Sequence, residues 1–135
     1  LPSPAIAGEG LEFSFSGLKT AIVNYVNTAR MKNETICRED IAAALTAVIC
    51  HAVVEKLTLA LKTTGRKKLV FAGGVAANTH LRAAIATLCR DMGASFYVPP
   101  VSLCGDNAAM IGAQAYYEYI AGNRADTSLN AYASV

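Results

Sequence analysis

Two short apolar runs constrain this chain most, because each is ended by a strong chain-breaker and each is followed by a helical pattern. The first is Lys68-Leu69-Val70-Phe71-Ala72, stopped by Gly73-Gly74; the second is Ser95-Phe96-Tyr97-Val98, stopped by Pro99-Pro100. Between them Leu81, Ile85, Leu88 and Cys89 recur at helical spacing, which predicts a helix from about Asn78 to Met92 that ends at Gly93. Strands alternating with helices at such short spacing indicate an α/β layer with a parallel strand pair.

The flanks extend the pattern. Leu18, Ile22, Val23 and Val26 predict a helix from about Ser16 to Arg30. Arg38-Glu39-Asp40 is an acidic opening suited to a helix amino terminus, and the segment from 38 to about 63 is the clearest helix in the chain. Its stripe is Ile41, Leu45, Val48, Ile49, Ala52, Val53 and Leu57, and Thr64-Gly65 supplies the stop. A last helix, from about Asp106 to Ala121, carries Met110, Ile111, Ala113, Tyr117 and Ile120. One α/β lobe is expected over 13–121, with an irregular Pro- and Gly-rich linker over 1–12 and a polar tail over 122–135. The opening Leu-Pro-Ser-Pro-Ala-Ile has no initiator Met and no signal pattern, and reads as a linker cut in mid-chain.

Composition narrows the class. With 53% hydrophobic and 16% charged residues, the 135-residue chain suits a compact domain, and the low charged fraction suits a lobe that packs against something else. A net charge of +2 does not establish nucleic-acid binding, and the one dense basic run, Arg66-Lys67-Lys68, reads as a solvated loop, with a nucleic-acid backbone contact as the lesser alternative. The four cysteines, Cys37, Cys50, Cys89 and Cys104, form no CxxC pair, which argues against a zinc ribbon and a disulfide scaffold and for reduced thiols in the cytosol. Cys50 and Cys89 fall in helical patterns as small core hydrophobes. The longest apolar stretch, Ile41 to Val54, contains Thr46 and His51 and reads as too short to span a bilayer.

Chemistry concentrates at the two strand-to-helix junctions, since α/β sheets gather ligands at the carboxyl ends of their strands. Gly73-Gly74 removes side chains from one junction, and the helix beyond offers unpaired N–H groups suited to a phosphate. Asn78 is equally suited to capping that helix. At the other junction, Ser102-Leu103-Cys104-Gly105-Asp106-Asn107, Asp106 is either a helix cap or a carboxylate ligand to a metal or metal-bound phosphate. His51 reads as a packed core or boundary histidine, and His80 as one at the solvent or cleft rim. No Ser/His/Asp or Cys/His constellation and no His-Glu-x-x-His is present.

Phe13-Ser14-Phe15-Ser16-Gly17-Leu18-Lys19-Thr20-Ala21, then Gly73-Gly74-Val75-Ala76-Ala77-Asn78 with Leu81-Arg82, then Asp106-Asn107-Ala108-Ala109-Met110-Ile111, together resemble the TsaD family. The family is called Kae in archaea and eukaryotes, and was long known as O-sialoglycoprotein endopeptidase or glycoprotease. The resemblance covers essentially the whole chain and less than half of the family's usual length. It implies the carboxyl-terminal lobe of an ASKHA (actin/sugar kinase/Hsp70-like) fold. It also implies transfer of the threonylcarbamoyl group from threonylcarbamoyl-adenylate to N6 of the adenosine beside the anticodon, in tRNAs reading codons that begin with A.

By the same resemblance, Asn78 matches the asparagine that contacts the adenylate, and Gly73 and Gly74 match glycines lining its pocket. Asp106 matches the carboxylate that joins two histidines in binding iron or zinc. Gly105 departs from the usual Thr or Ser. The family's His-x-x-x-His, its Asp-Thr-Ser segment and its Ser-Gly-Gly-His-Thr loop have no counterpart here, so this chain alone is expected to be inactive. The expected partners are tRNA, threonylcarbamoyl-adenylate or another adenine nucleotide, a missing amino-terminal lobe and accessory subunits of a tRNA-modification complex, with no membrane and a cytoplasmic location. No residue is assigned as general base. The alternatives are a metal-dependent glycoprotease, as the older name says, and a non-catalytic lobe that docks partners.

Overall fold

A computed structural model describes residues 1–4 and 10–131; residues 5–9 of the expected linker and 132–135 of the expected tail lie outside the described residues. The described residues hold α1 (Ser16–Met31), α2 (Arg38–Thr64), β1 (Lys68–Val70), α3 (Thr79–Asp91), β2 (Ser95–Tyr97) and α4 (Ala108–Ile120), with 3-10 turns at Gly74–Ala77 and Val101–Leu103. The two strands pair in parallel, with Lys68 opposite Ser95, Leu69 opposite Phe96 and Val70 opposite Tyr97. The ladder runs on by one bond at each end: Ser95 N–H to Lys67 O at 2.8 Å and Phe71 N–H to Tyr97 O at 2.9 Å. The expected strand pair is therefore present, although each strand is shorter than its apolar run, because Ala72 and Val98 already turn toward the next element.

α3 is the crossover between the strands, and it carries the core. Leu81, Ile85, Leu88 and Cys89 on its inner face close against Leu61 of α2 and Leu69 of β1, with Cys50, Val53, Val54, Leu57, Phe71 and Phe96 packed around them. Burying a side chain such as Ile85 contributes about 1.5–3 kcal/mol. Gly65 stops α2 in the left-handed conformation (φ 64°), and its N–H reaches Leu61 O at 3.1 Å.

The other half of α2 is less covered. α1 faces it across two surface hollows of about 520 Å³ each, one lined by Ile22, Tyr25, Ile36 and Ile41 and the other by Val26, Arg30 and Leu45. The lead-in chain lies near the same helix: Lys56 of α2 is buried and its Nζ donates to Gly10 O, and Ser14 N–H bonds Pro4 O at 2.8 Å. The apolar run in α2 exceeds the sequence expectation. By length and composition α2 passes for a membrane-crossing helix, with 27 residues, a best-window mean hydropathy of 1.7 and only 17% of that window buried. The correction arises because single Thr and His residues interrupt an apolar run without much lowering its average. The carboxyl-terminal half of the helix packs on α3 through Val53, Leu57 and Leu61, as a core helix does.

Candidate functional site

Parallel pairing puts the carboxyl ends of β1 and β2 at one edge, so both junctions open on the same side of the sheet. At the first, Gly73 has φ 90° and ψ 177°, a conformation that strains any residue with a Cβ. The 3-10 turn then closes with Ala76 N–H to Gly73 O at 2.9 Å and Asn78 N–H to Val75 O at 3.0 Å. Ala76 is buried, which turns Gly73, Gly74 and Asn78 outward, and all three are exposed. A Cβ built on Gly73 or Gly74 would meet nothing within 4 Å, so the surface in front of both backbones is open.

Asn78 caps α3, its Oδ1 accepting from Leu81 N–H at 3.0 Å. Its Nδ2 is left without a partner among the described residues, so the cap and an outward contact coexist at one residue. Asn78 takes two N–H groups of the first turn of α3, Leu81's through Oδ1 and Arg82's through its carbonyl, which leaves those of Thr79 and His80 at the positive end of the helix dipole, where they suit an anion.

The second junction follows Pro99-Pro100. Leu103 N–H bonds Pro100 O at 3.0 Å and Cys104 N–H bonds Val101 O at 3.1 Å, which turns Cys104 into the interior. The cap of α4 is Asn107: its Oδ1 accepts from Met110 N–H at 2.9 Å, and its Nδ2 donates to Gly105 O at 3.0 Å. The cap alternative for Asp106 is thereby overturned, and the helix starts two residues later than its sequence pattern suggested. Two adjacent cap-competent residues compete there, and Asn107 takes the extended conformation (φ −150°, ψ 145°) that a cap requires. Asp106 stands exposed before the cap with no hydrogen bond or ion pair among the described residues, its carboxylate open to a ligand. Gly105 has neither a left-handed φ nor a neighbour within 4 Å of a Cβ, so the backbone accepts Ser or Thr there.

One side chain joins the junctions. Arg82, on the first turn of α3, donates through Nε to Ala76 O and through Nη2 to Pro99 O at 2.7 Å and to Cys104 Sγ at 3.0 Å. In the sequence Arg82 stood only as part of a motif. Nothing in its spacing set it apart from Arg90, the other arginine of α3 beside a buried residue.

Other expectations resolve differently. His51 is exposed, against the core or boundary reading, because α2 leaves that flank uncovered; His80 is exposed as expected. Arg66, Lys67 and Lys68 are exposed at the loop, and Lys67 Nζ reaches Met92 O at 3.1 Å. Burial pushes the thiols of Cys50 and Cys89 up from their ordinary range, which suits inert packing groups. No group of three or more His, Cys, Asp or Glu among the described residues could hold a metal, and Asp106 stands apart from any such group. The two 520 Å³ hollows lie between α1 and α2, away from both junctions, and read as gaps between loosely docked helices.

The family model described as tRNA N6-adenosine threonylcarbamoyltransferase, TsaD, matches residues 1–113. The chain belongs to that family. It is 44% identical over 130 residues to the tRNA N6-adenosine threonylcarbamoyltransferase of Clostridioides difficile (strain 630), covering 96% of this chain and 38% of the relative. It is 45% identical over 121 residues to that of Clostridium novyi (strain NT), covering 90% and 36%. For the protein of the same name from Desulfitobacterium hafniense (strain Y51) it is 44% identical over 130 residues, covering 96% and 38%. The chain thus spans under two-fifths of the length of these curated TsaD relatives.

Proposed function

We propose that this chain is the carboxyl-terminal lobe of an ASKHA-type TsaD enzyme. In the complete polypeptide it would form one wall of the site that moves threonylcarbamoyl from threonylcarbamoyl-adenylate to N6 of the adenosine beside the anticodon. The observation that carries the reading is the pair of helix openings at one sheet edge. Exposed Gly73, Gly74 and Asn78 lie on one, and the unpartnered Asp106 lies on the other. In the reaction the N6 amine attacks the carbamoyl carbon and gives up a proton to solvent, the bond from that carbon to the phosphate oxygen breaks, and AMP leaves with its electron pair.

The residues here serve the leaving side. The two glycines let the phosphate approach the backbone, the first turn of α3 offers N–H groups to its oxygens, and Asn78 Nδ2 offers one more donor. Asp106 suits a divalent iron or zinc whose other ligands lie outside this chain, and such a metal would supply Lewis-acid polarisation when bound. Alone, the lobe has one wall of the pocket and one metal ligand, which supports the reading that it is inactive by itself. tRNA is the substrate partner, and it implies a cytoplasmic location; accessory subunits complete the assembly.

The test uses the complete polypeptide and two readouts, the modified nucleoside in tRNA by mass spectrometry and metal per subunit by elemental analysis. Asp106→Ala is expected to lose most of a near-stoichiometric metal and the modification with it. Asn78→Ala is expected to keep the metal and to raise the KM for the adenylate by about tenfold, as for one lost hydrogen bond to a charged group. Unchanged metal in Asp106→Ala would remove the ligand assignment. A wild-type protein that modifies no tRNA would remove the reaction.

A further inference from the structure

Beyond the bond from Phe71 N–H to Tyr97 O, no backbone hydrogen bond joins the two junctions among the described residues. What joins them is the Arg82 guanidinium. It bonds Ala76 O in the turn that presents Asn78, Pro99 O at the approach to the second junction, and Cys104 Sγ two residues before Asp106. The backbone N–H of the same residue bonds Asn78 O at 3.0 Å. One residue is therefore fastened to the asparagine, to the turn ahead of it and to the aspartate's loop.

We propose that Arg82 is a positioning residue that locks the Gly73-Gly74-Asn78 junction to the Asp106 junction, so that the two walls move as one body. The proposal rests on the functional reading above for what the walls hold, and on geometry alone for the lock. A planar guanidinium presents donors in a fixed fork and can serve acceptors on separate loops at once, whereas an ammonium acts as a point charge. The acceptors are neutral, two carbonyls and a buried thiol, and no carboxylate pairs with Arg82 among the described residues. Its charge therefore stays uncompensated between two openings proposed to receive an anion and a metal. Reacting groups held on separate loops need such a tie, because a misplacement of about 1 Å lowers a rate by about 100-fold.

The experiment places Arg82→Gln and Arg82→Lys in the complete polypeptide. It reads kcat and KM for the adenylate, metal per subunit, Tm and amide hydrogen exchange. Both variants are expected to melt within about 4 °C of wild type. In both, kcat should fall, by about 100-fold for Gln and less for Lys, with KM for the adenylate nearly unchanged. Exchange should rise together over Gly73–Asn78 and over Val101–Asn107, while Ile85–Cys89 of the core stays protected. A loss of kcat that only tracks a fall in Tm and in core protection would make Arg82 an ordinary structural residue and overturn the lock, as would unchanged exchange at either junction. If wild type proves inactive but the two junctions still loosen together, the lock stands and the functional reading falls. If wild type is active and its variants keep both junctions protected, the functional reading stands and the lock falls.

Discussion

α3 and α4 have 13 residues each and opposite fates. α3 buries Leu81, Ile85, Leu88 and Cys89; α4 buries nothing, although it carries Met110, Ile111, Tyr116, Tyr117, Tyr119 and Ile120. The cause lies in the order of residues. α3 confines its apolar side chains to one stripe, and Arg90 and Asp91 stay outside it. α4 spreads them around most of its circumference and leaves only the side of Gln114 and Glu118 polar. One small sheet and one helix cover a stripe, whereas a wider apolar arc needs more neighbours. A helix's pattern thus states how many neighbours it needs, and α4 needs more than the described residues provide. A chain spanning 38% of its relatives' length fits that deficit.

A pair of isoleucines puts this difference to the hardest test. Ile85 is 0% exposed and Ile111 is 64% exposed. Ile85→Ala is expected to destabilise the chain by about 2–5 kcal/mol in a urea titration, the usual cost of a core cavity. Ile111→Ala is expected to stay within about 0.5 kcal/mol, as an exposed site does. Similar losses at both would mean that α4 is covered in solution, and gel filtration would then show an associated chain.

The glycines separate in the same way what the lobe needs for itself from what it offers outward. Gly73→Ala is expected to cost about 1–3 kcal/mol, because φ 90° admits no Cβ without strain. Gly74→Ala is expected to be neutral or to stabilise by up to about 1 kcal/mol, since its φ is ordinary and its Cβ would stand in open space. In the complete polypeptide that same methyl group would occupy the space read as the adenylate's, so Gly74→Ala should weaken adenylate binding without weakening the fold. A variant with both stability and binding intact would move the pocket elsewhere.

Local chemistry makes much of this legible from residues alone. The boundaries of α2 and α3, the parallel pair and the four-residue core stripe of α3 all follow from periodicity and from breakers at Gly65, Gly93 and Pro99. The cap of α4 is not legible, because Asp106 and Asn107 are both good caps and only the backbone path chooses between them. Nor is the role of Arg82: its partners Pro99 and Cys104 lie 17 and 22 residues away and meet it only once the crossover is folded. The exposure of His51 escapes the sequence for a related reason, since a helical stripe says which side wants cover and not whether cover arrives. The likeness of Gly73, Gly74, Asn78 and Asp106 to a ligand site comes from the family motifs; spacing alone leaves each of them a turn or a cap.

A subtler difference separates the two polar residues at the junctions. Asn78 accepts from Leu81 N–H, so Asn78→Ala is expected to cost about 1 kcal/mol through the lost cap, before any ligand is considered. Asp106 has no partner among the described residues, and Asp106→Ala is expected to leave stability within about 0.5 kcal/mol. Its neighbour supplies the control: Asn107→Ala removes the bond to Met110 N–H and should fray the start of α4, visible as faster amide exchange there, with no change in the core formed by α2, β1, α3 and β2. Removal of Asp106 at no cost to the fold would leave its carboxylate free for the ligand role proposed for it. If Asp106→Ala destabilises the chain as much as Asn78→Ala does, its carboxylate is engaged within the fold. Asp106 would then lose the argument that makes it a free ligand, and the metal would have to be sought from other residues.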